Sequence, residues 1–135
     1  MSSSELELVE RAFALLDSDT YEDALPLIDE RFEMTTTSEV ASEPDVYRGH
    51  DGVRRWWETF LEVMDHVALK AGTFQDAGDG RVIVQFAIRA RGRRSGIETE
   101  QQAIALATVR DGKLIGLEFF TSLDLAREAA GLPPR

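Results

Sequence analysis

One change of hydrophobic period confines this chain to a small set of folds. Val53, Trp56, Trp57, Phe60, Met64 and Val67 recur at spacings of three and four, which predicts a helix buried along one wide, aromatic face after the Gly49-His50-Asp51-Gly52 turn. The period then drops to two: Val82, Val84, Phe86, Ile88 and Ala90 alternate with Ile83, Gln85, Ala87, Arg89 and Arg91, the pattern of a long strand. A helix of the first kind next to strands of the second kind buries its face on the sheet they form.

The flanking segments extend this pattern in both directions. Ser4-Glu5-Leu6-Glu7 has the form of a capping box, and Leu6, Val9, Phe13 and Leu16 follow as one apolar stripe, so the chain opens with a helix. Thr20 with Asp23 starts a second, short helix through Ala24, Leu25, Leu27 and Ile28, shortened or kinked by Pro26. Phe32 to Thr37 reads as a strand, and Ser38 to Gly49, without periodicity, as a loop. Gly78-Asp79-Gly80, Arg93-Arg94-Ser95-Gly96 and Asp111-Gly112 supply hairpin connections, the last being the pair that a type I′ turn favours. Leu123 to Ala130 forms a terminal helix stopped by Gly131, Pro133 and Pro134. Helices first and antiparallel strands after them argue for one α+β domain over residues 1–135, a cone-shaped curved antiparallel sheet packed on the N-terminal helices and enclosing a pocket.

Composition removes several classes of function. With 15 basic and 25 acidic residues the net charge is −10, which works against nucleic acid and anionic membrane surfaces as partners. The absence of cysteine excludes thiolate metal sites and thiol nucleophiles. His50 and His66 are the only histidines and have no ligand spacing, so neither a metal nor a cofactor is expected. No apolar run reaches the roughly 20 residues that span a bilayer, and Met1 to Glu10 lacks the pattern of a secretory signal, which places the expected chain in the cytoplasm.

Three stretches, Val46-Tyr47-Arg48-Gly49-His50-Asp51-Gly52-Val53-Arg54, Arg110-Asp111-Gly112-Lys113-Leu114 and Ala126-Arg127-Glu128-Ala129-Ala130-Gly131-Leu132, together with the element order, resemble the SnoaL-like branch of the nuclear-transport-factor-2-like superfamily. The resemblance implies a cone-shaped barrel with a pocket between sheet and helices, often a homodimer through the outer sheet face. Its members include polyketide cyclases, ketosteroid isomerases, epoxide hydrolases and proteins with no known reaction. The positions that carry a tyrosine and two acids in isomerase-like relatives fall on Ala12, Thr36 and Ala105, and the cyclase aspartate falls on Phe119. Alanine and phenylalanine exchange no proton, and a threonine hydroxyl is no general base near neutral pH. Glu118, one residue away, points to the opposite sheet face by strand alternation.

The candidate residues therefore bind rather than transfer protons. A hydrophobic pocket is expected from Phe13, Leu16, Met34, Trp57, Phe60, Val84, Phe86, Leu117 and Phe119, with Tyr47, Gln101 and Thr121 as orienting polar groups. Trp57 stacks on a ligand or simply packs, and both readings stand open; for Trp56, core packing is the expectation. Ala103, Ala105 and Ala107 face inward and leave room, so Ala105→Trp is expected to fill the pocket and spare the fold. Ile104 and Leu106 then face outward with Glu98, Glu100 and Gln102, and two exposed apolar residues suggest a homodimer interface. Arg89, Arg91, Arg93 and Arg94 read as a solvated patch pairing with Glu98 and Glu100, and His66 as a charge near the end of the aromatic helix. The expected function is binding of a small apolar molecule, with a non-catalytic dimeric module as the alternative and a cyclase, isomerase or hydrolase acting on a hydrophobic ring third. The two leading readings part on whether a cavity larger than a few waters lies beside Trp57.

Overall fold

In the computed structural model, which describes residues 3–35 and 46–133, the change of period becomes helix against sheet. The order is α1 (Ser3–Ala14), a 3₁₀ helix (Tyr21–Leu27), β1 (Ile28–Thr35), β2 (Val46–Arg48), α2 (Gly49–Leu61), β3 (Met64–Gly78), β4 (Arg81–Gly92), β5 (Glu98–Arg110), β6 (Lys113–Phe120) and α3 (Leu123–Ala129). The strands form one curved sheet in the order β2-β1-β6-β5-β4-β3. From β3 to β6 it is an antiparallel meander, as the turn residues imply. Asp79-Gly80 and Asp111-Gly112 each have φ above +50° at both residues, the requirement of a type I′ turn.

The sheet is mixed rather than wholly antiparallel, because β1 joins β6 in parallel, with Met34 opposite Leu117. No local turn sets that direction. The two strands meet across most of the chain, and only tertiary packing fixes their orientation. The sheet also stays open, with β2 and β3 at its edges.

Other expectations shift at element ends. The aromatic helix stops at Leu61, where Arg93 Nη2 donates to the Leu61 carbonyl at 2.6 Å and the Met64 carbonyl at 3.2 Å. Met64 and Val67 lie instead on β3, paired with Gly92 and Ala90, and a bulge between Met64 and His66 reproduces a helix-like spacing within a strand. His66 is thus no helix-terminal charge; its Nδ1 lies 3.3 Å from Ser18 Oγ. The first helix begins at Ser3, and the Ser4 hydroxyl donates to its neighbour Glu5 instead of opening a capping box. Leu16 lies past the end of α1 but remains buried.

The second helix is 3₁₀ and contains Pro26. Thr20 makes no side-chain cap; Asp17 instead closes the turn that precedes the helix, its Oδ1 accepting from the N–H groups of Asp19 (2.7 Å) and Thr20 (2.8 Å). Burial pushes the Asp17 carboxyl up, but these two donors, the Thr20 hydroxyl and His66 outweigh it and hold the carboxyl below its usual value. β1 begins at Ile28, four residues earlier than expected, and Val46–Arg48 is a short strand where a loop was read. Gly52 shows why a buried helix turn carries glycine: a Cβ there would sit 2.6 Å from the Tyr47 carbonyl carbon, so α2 and β2 meet backbone to backbone.

One face of the sheet carries the main core with α1 and α2. The other face is covered in part by α3, whose Ala126 and Ala130 pack on Ile83 and Leu106, with Ile104 and Phe120 alongside. This corrects the premise of the dimer expectation: Leu106 is buried and Ile104 half-buried beneath the chain's own terminal helix. Of the arginine patch, Arg89 pairs with Glu100 at 2.7 Å as expected, whereas Arg91 pairs with Asp65 at 2.8 Å.

Candidate functional site

The interior is organised around aromatic rings. Trp56 and Trp57, each 1% exposed, meet edge to face at 5.1 Å between ring centroids. Trp56 also meets Phe60 at 4.9 Å and Phe119 at 6.1 Å, and a further chain runs Phe119 to Phe86 (5.8 Å) to Phe13 (5.4 Å). Such edge-on pairs add roughly 0.5–1.5 kcal/mol each beyond the area they bury. Outside, the half-buried Tyr21 stacks on Trp57 at 5.2 Å and 14°.

Beneath the two indoles lies a cavity with walls of carbon. Trp56, Trp57 and Val53 of α2 face Phe32 and Met34 of β1 and Leu117 and Phe119 of β6; Leu16, Ile28, Leu69 and Leu114 complete the lining. The space free to a water-sized molecule is about 20 Å³. That is the size of one water, and a wall without polar atoms gives a water none of the two to four partners it needs. The open pocket expected from the sequence is therefore nearly filled. Larger grooves, about 350 Å³ beside Arg31 and Glu118 on the outer sheet face and about 320 Å³ between α1 and β3, are open to solvent and away from the tryptophans.

Five of the expected pocket residues line the cavity: Leu16, Met34, Trp57, Leu117 and Phe119. Phe13, Val84 and Phe86 are buried in the same core behind it, and Phe60 is half-buried against Trp56. Tyr47, fully buried on β2, also lies off the cavity, with the Arg55 guanidinium 4.1 Å from its ring centroid. Gln101 and Thr121 are corrected outright, for both are exposed. Gln101 lies opposite Ile88, on the inward face but at the end of β5 that the helices leave uncovered, and Thr121 follows the end of β6. Of the isomerase-like positions, Ala12 and Ala105 are fully buried and Thr36 lies outside the described residues; the cyclase position, Phe119, is on the cavity wall.

Trp56, Ile28, Phe32, Val53, Leu69 and Leu114 are lining residues that the sequence reading did not place there. Leu114 was hidden by the register shift between Thr108 and Val109, which brings Leu114 to the same side as Leu117 despite their odd separation. Trp56, at three residues from Val53 and four from Phe60, carried the signal all along in its helical spacing.

The electrostatics are those of a dry interior. No titratable side chain lines the cavity. Burial first, then the Glu22 and Glu58 carboxylates, push the Tyr21 phenol above its ordinary value, so it stays protonated at neutral pH. The His50 Nε2–H donates to the Ile28 carbonyl at 2.7 Å, tying α2 to the start of β1. The Trp56 Nε1 is buried and has no hydrogen-bond partner. Among the described residues no group of three or more His, Asp or Glu side chains could hold a metal ion, and no helix is long and apolar enough to cross a membrane.

Comparison with known proteins gives this architecture its family. No curated protein matches the chain. Among solved structures, TerC co-crystallised with polyporic acid superposes with a TM-score of 0.74 at 17% identity, covering 95% of this chain and 98% of that one. An NTF2-like protein from Burkholderia thailandensis gives 0.72 at 25% identity over 96% and 98%. A SnoaL-like polyketide cyclase, so named provisionally, from Jannaschia gives 0.69 at 18% over 98% and 94%. The model of the SnoaL-like domain matches residues 9–116, a span that runs from α1 into β6 and takes in every wall of the cavity except Leu117 and Phe119. The chain belongs to the SnoaL-like domain family.

Proposed function

We propose that the protein binds a small, uncharged, apolar molecule in the cavity beneath Trp56 and Trp57, and that it does so without acid–base catalysis. The observation that carries this reading is the cavity wall itself: eleven apolar residues, from α2, from β1, β3 and β6 and from Leu16 in the segment after α1, converge on one space with no titratable group. A site of this kind orients a ligand by shape and by removing it from water. A structure of this fold, TerC, was co-crystallised with polyporic acid.

A benzene-sized guest needs on the order of 150 Å³, against the 20 Å³ present at rest. Binding thus requires the walls to yield, among them Trp57, which stacks on the half-buried Tyr21. The small resting volume favours a second reading, a packed module with no ligand. Tryptophan fluorescence separates them. Titration with a graded series from benzene to fused-ring ketones is expected to give saturable quenching that Trp57→Phe abolishes. A flat response from a folded sample would overturn binding and leave the packed module.

A further inference from the structure

We infer that an apolar guest reaches the interior cavity from the groove between α1 and β3, and that the side chains of Leu16 and Leu69 are the gate it passes. The inference rests on the binding role proposed above and supplies the route that a buried site needs. No residue of the cavity wall is more than 5% exposed, so a guest has to displace a side chain to enter. Three wall residues reach that 5%, namely Leu16, Leu69 and Leu117, and each of them also lines a groove open to solvent.

The backbone decides between the two grooves. Leu117 borders the groove on the outer sheet face, and a guest coming from there has to part β1 from β6 where the two are paired, Glu33 with Gly116 and Met34 with Leu117. Leu16 and Leu69 border the groove of about 320 Å³ between α1 and β3, where passage runs between a connector and a sheet edge. The Leu69 N–H donates to the Leu16 carbonyl at 2.9 Å, and the Ser18 N–H to the Val67 carbonyl at 2.7 Å. Both bonds are between main chains, so the two leucines can change rotamer while the backbone stays in place. The groove also suits the approach of a ring, since Phe13 and Phe74 meet edge to face at 6.0 Å on its wall. It carries the charges of Glu10, Asp17 and Lys70, and the cavity carries none. A charged molecule is therefore held back at the leucines, because no countercharge awaits it beyond them.

The test is kinetic, because a gate sets rates and leaves the equilibrium alone. Fluorobenzene is the probe, and fluorine exchange NMR reads its entry and exit, a signal that added tryptophans do not replace. Ala71 is exposed, lines the groove and is absent from the cavity wall. Ala71→Trp lays an indole across the passage and is expected to slow entry and exit alike by about tenfold, with Kd unchanged. Ala14→Trp, at the exposed end of α1 on the same groove, is the second plug should the first not fold. Glu118→Trp crowds the outer-face groove instead and is expected to leave both rates as they are. Unchanged rates in a folded plugged variant, or slowing by Glu118→Trp alone, would overturn the route while leaving the cavity as a binding site. A plug that raises Kd without slowing exchange would overturn it also, by seating the guest in the groove. Failure of fluorobenzene to bind the wild type would remove the binding role and the gate together.

Discussion

Ala105→Trp is expected to unfold the protein. The Ala105 side chain is fully buried, and its residue pairs with Val84 on β4 and Phe119 on β6 at the centre of the sheet. The cavity that its strand partner Phe119 lines holds about 20 Å³, far less than an indole needs. Even one or two surplus methylenes in a packed core cost about 1–3 kcal/mol. An indole adds many more atoms, against a total stability on the order of 5–15 kcal/mol. Gln101→Trp is the control, for it puts the same ring on the same face of β5 where the strand is exposed, and it should shift the midpoint by no more than about 0.5 kcal/mol. Circular dichroism melts of both variants make the comparison. A cooperative Ala105→Trp melt within a few degrees of wild type would mean that the middle of the sheet holds a void.

Trp57→Ala has the opposite geometry and the second-largest effect. It removes a buried indole that bridges Tyr21 outside and the cavity inside. Truncations of this kind cost about 3–5 kcal/mol, which for a domain of this length lowers the melting temperature by about 10–18 °C. The space released joins the existing cavity, so indole supplied in solution should raise the melting temperature again by mass action. At a hundred times its Kd the gain is about 2.7 kcal/mol. A loss below about 1 kcal/mol, or a variant that indole does not stabilise, would contradict the packing around Trp57.

The reversal of the Ala105→Trp expectation marks what the sequence can and cannot tell. Periodicity placed β4, its inward face and α2 as far as Phe60 correctly because burial of one face repeats along each element, but it carried the helix on through Met64 and Val67 of β3. Asp79-Gly80 and Asp111-Gly112 placed two hairpins because their backbone angles are a local property. The β1–β6 pairing has no such local signature, and its parallel sense emerges only from packing. Small residues at Ala103, Ala105 and Ala107 were read as leaving room, but a stripe of alanines also lets rings from facing elements come closer. Phe86, which pairs with Ala103, and Phe119, which pairs with Ala105, take that space and meet at 5.8 Å.

The candidate site was legible to a similar depth. Residues whose alternation is regular, such as Met34, Leu117 and Phe119, fell on the cavity wall as read. Leu114 was concealed by a bulge, and Gln101 was misplaced because alternation reports which face a residue takes and not how far the helices reach along it. The α3 cover over Leu106 was invisible for the same reason: a short amphipathic helix does not declare which face of the sheet it will pack on.

The most direct measurement of the central claim is a crystal of the protein held under xenon pressure. A xenon atom is apolar, makes no hydrogen bonds, and is larger than the resting space, so it enters only where carbon walls yield. The account predicts one interior xenon site, bounded by Met34, Trp56, Trp57 and Phe119. Xenon confined to the outer grooves, with the interior unchanged, would contradict it.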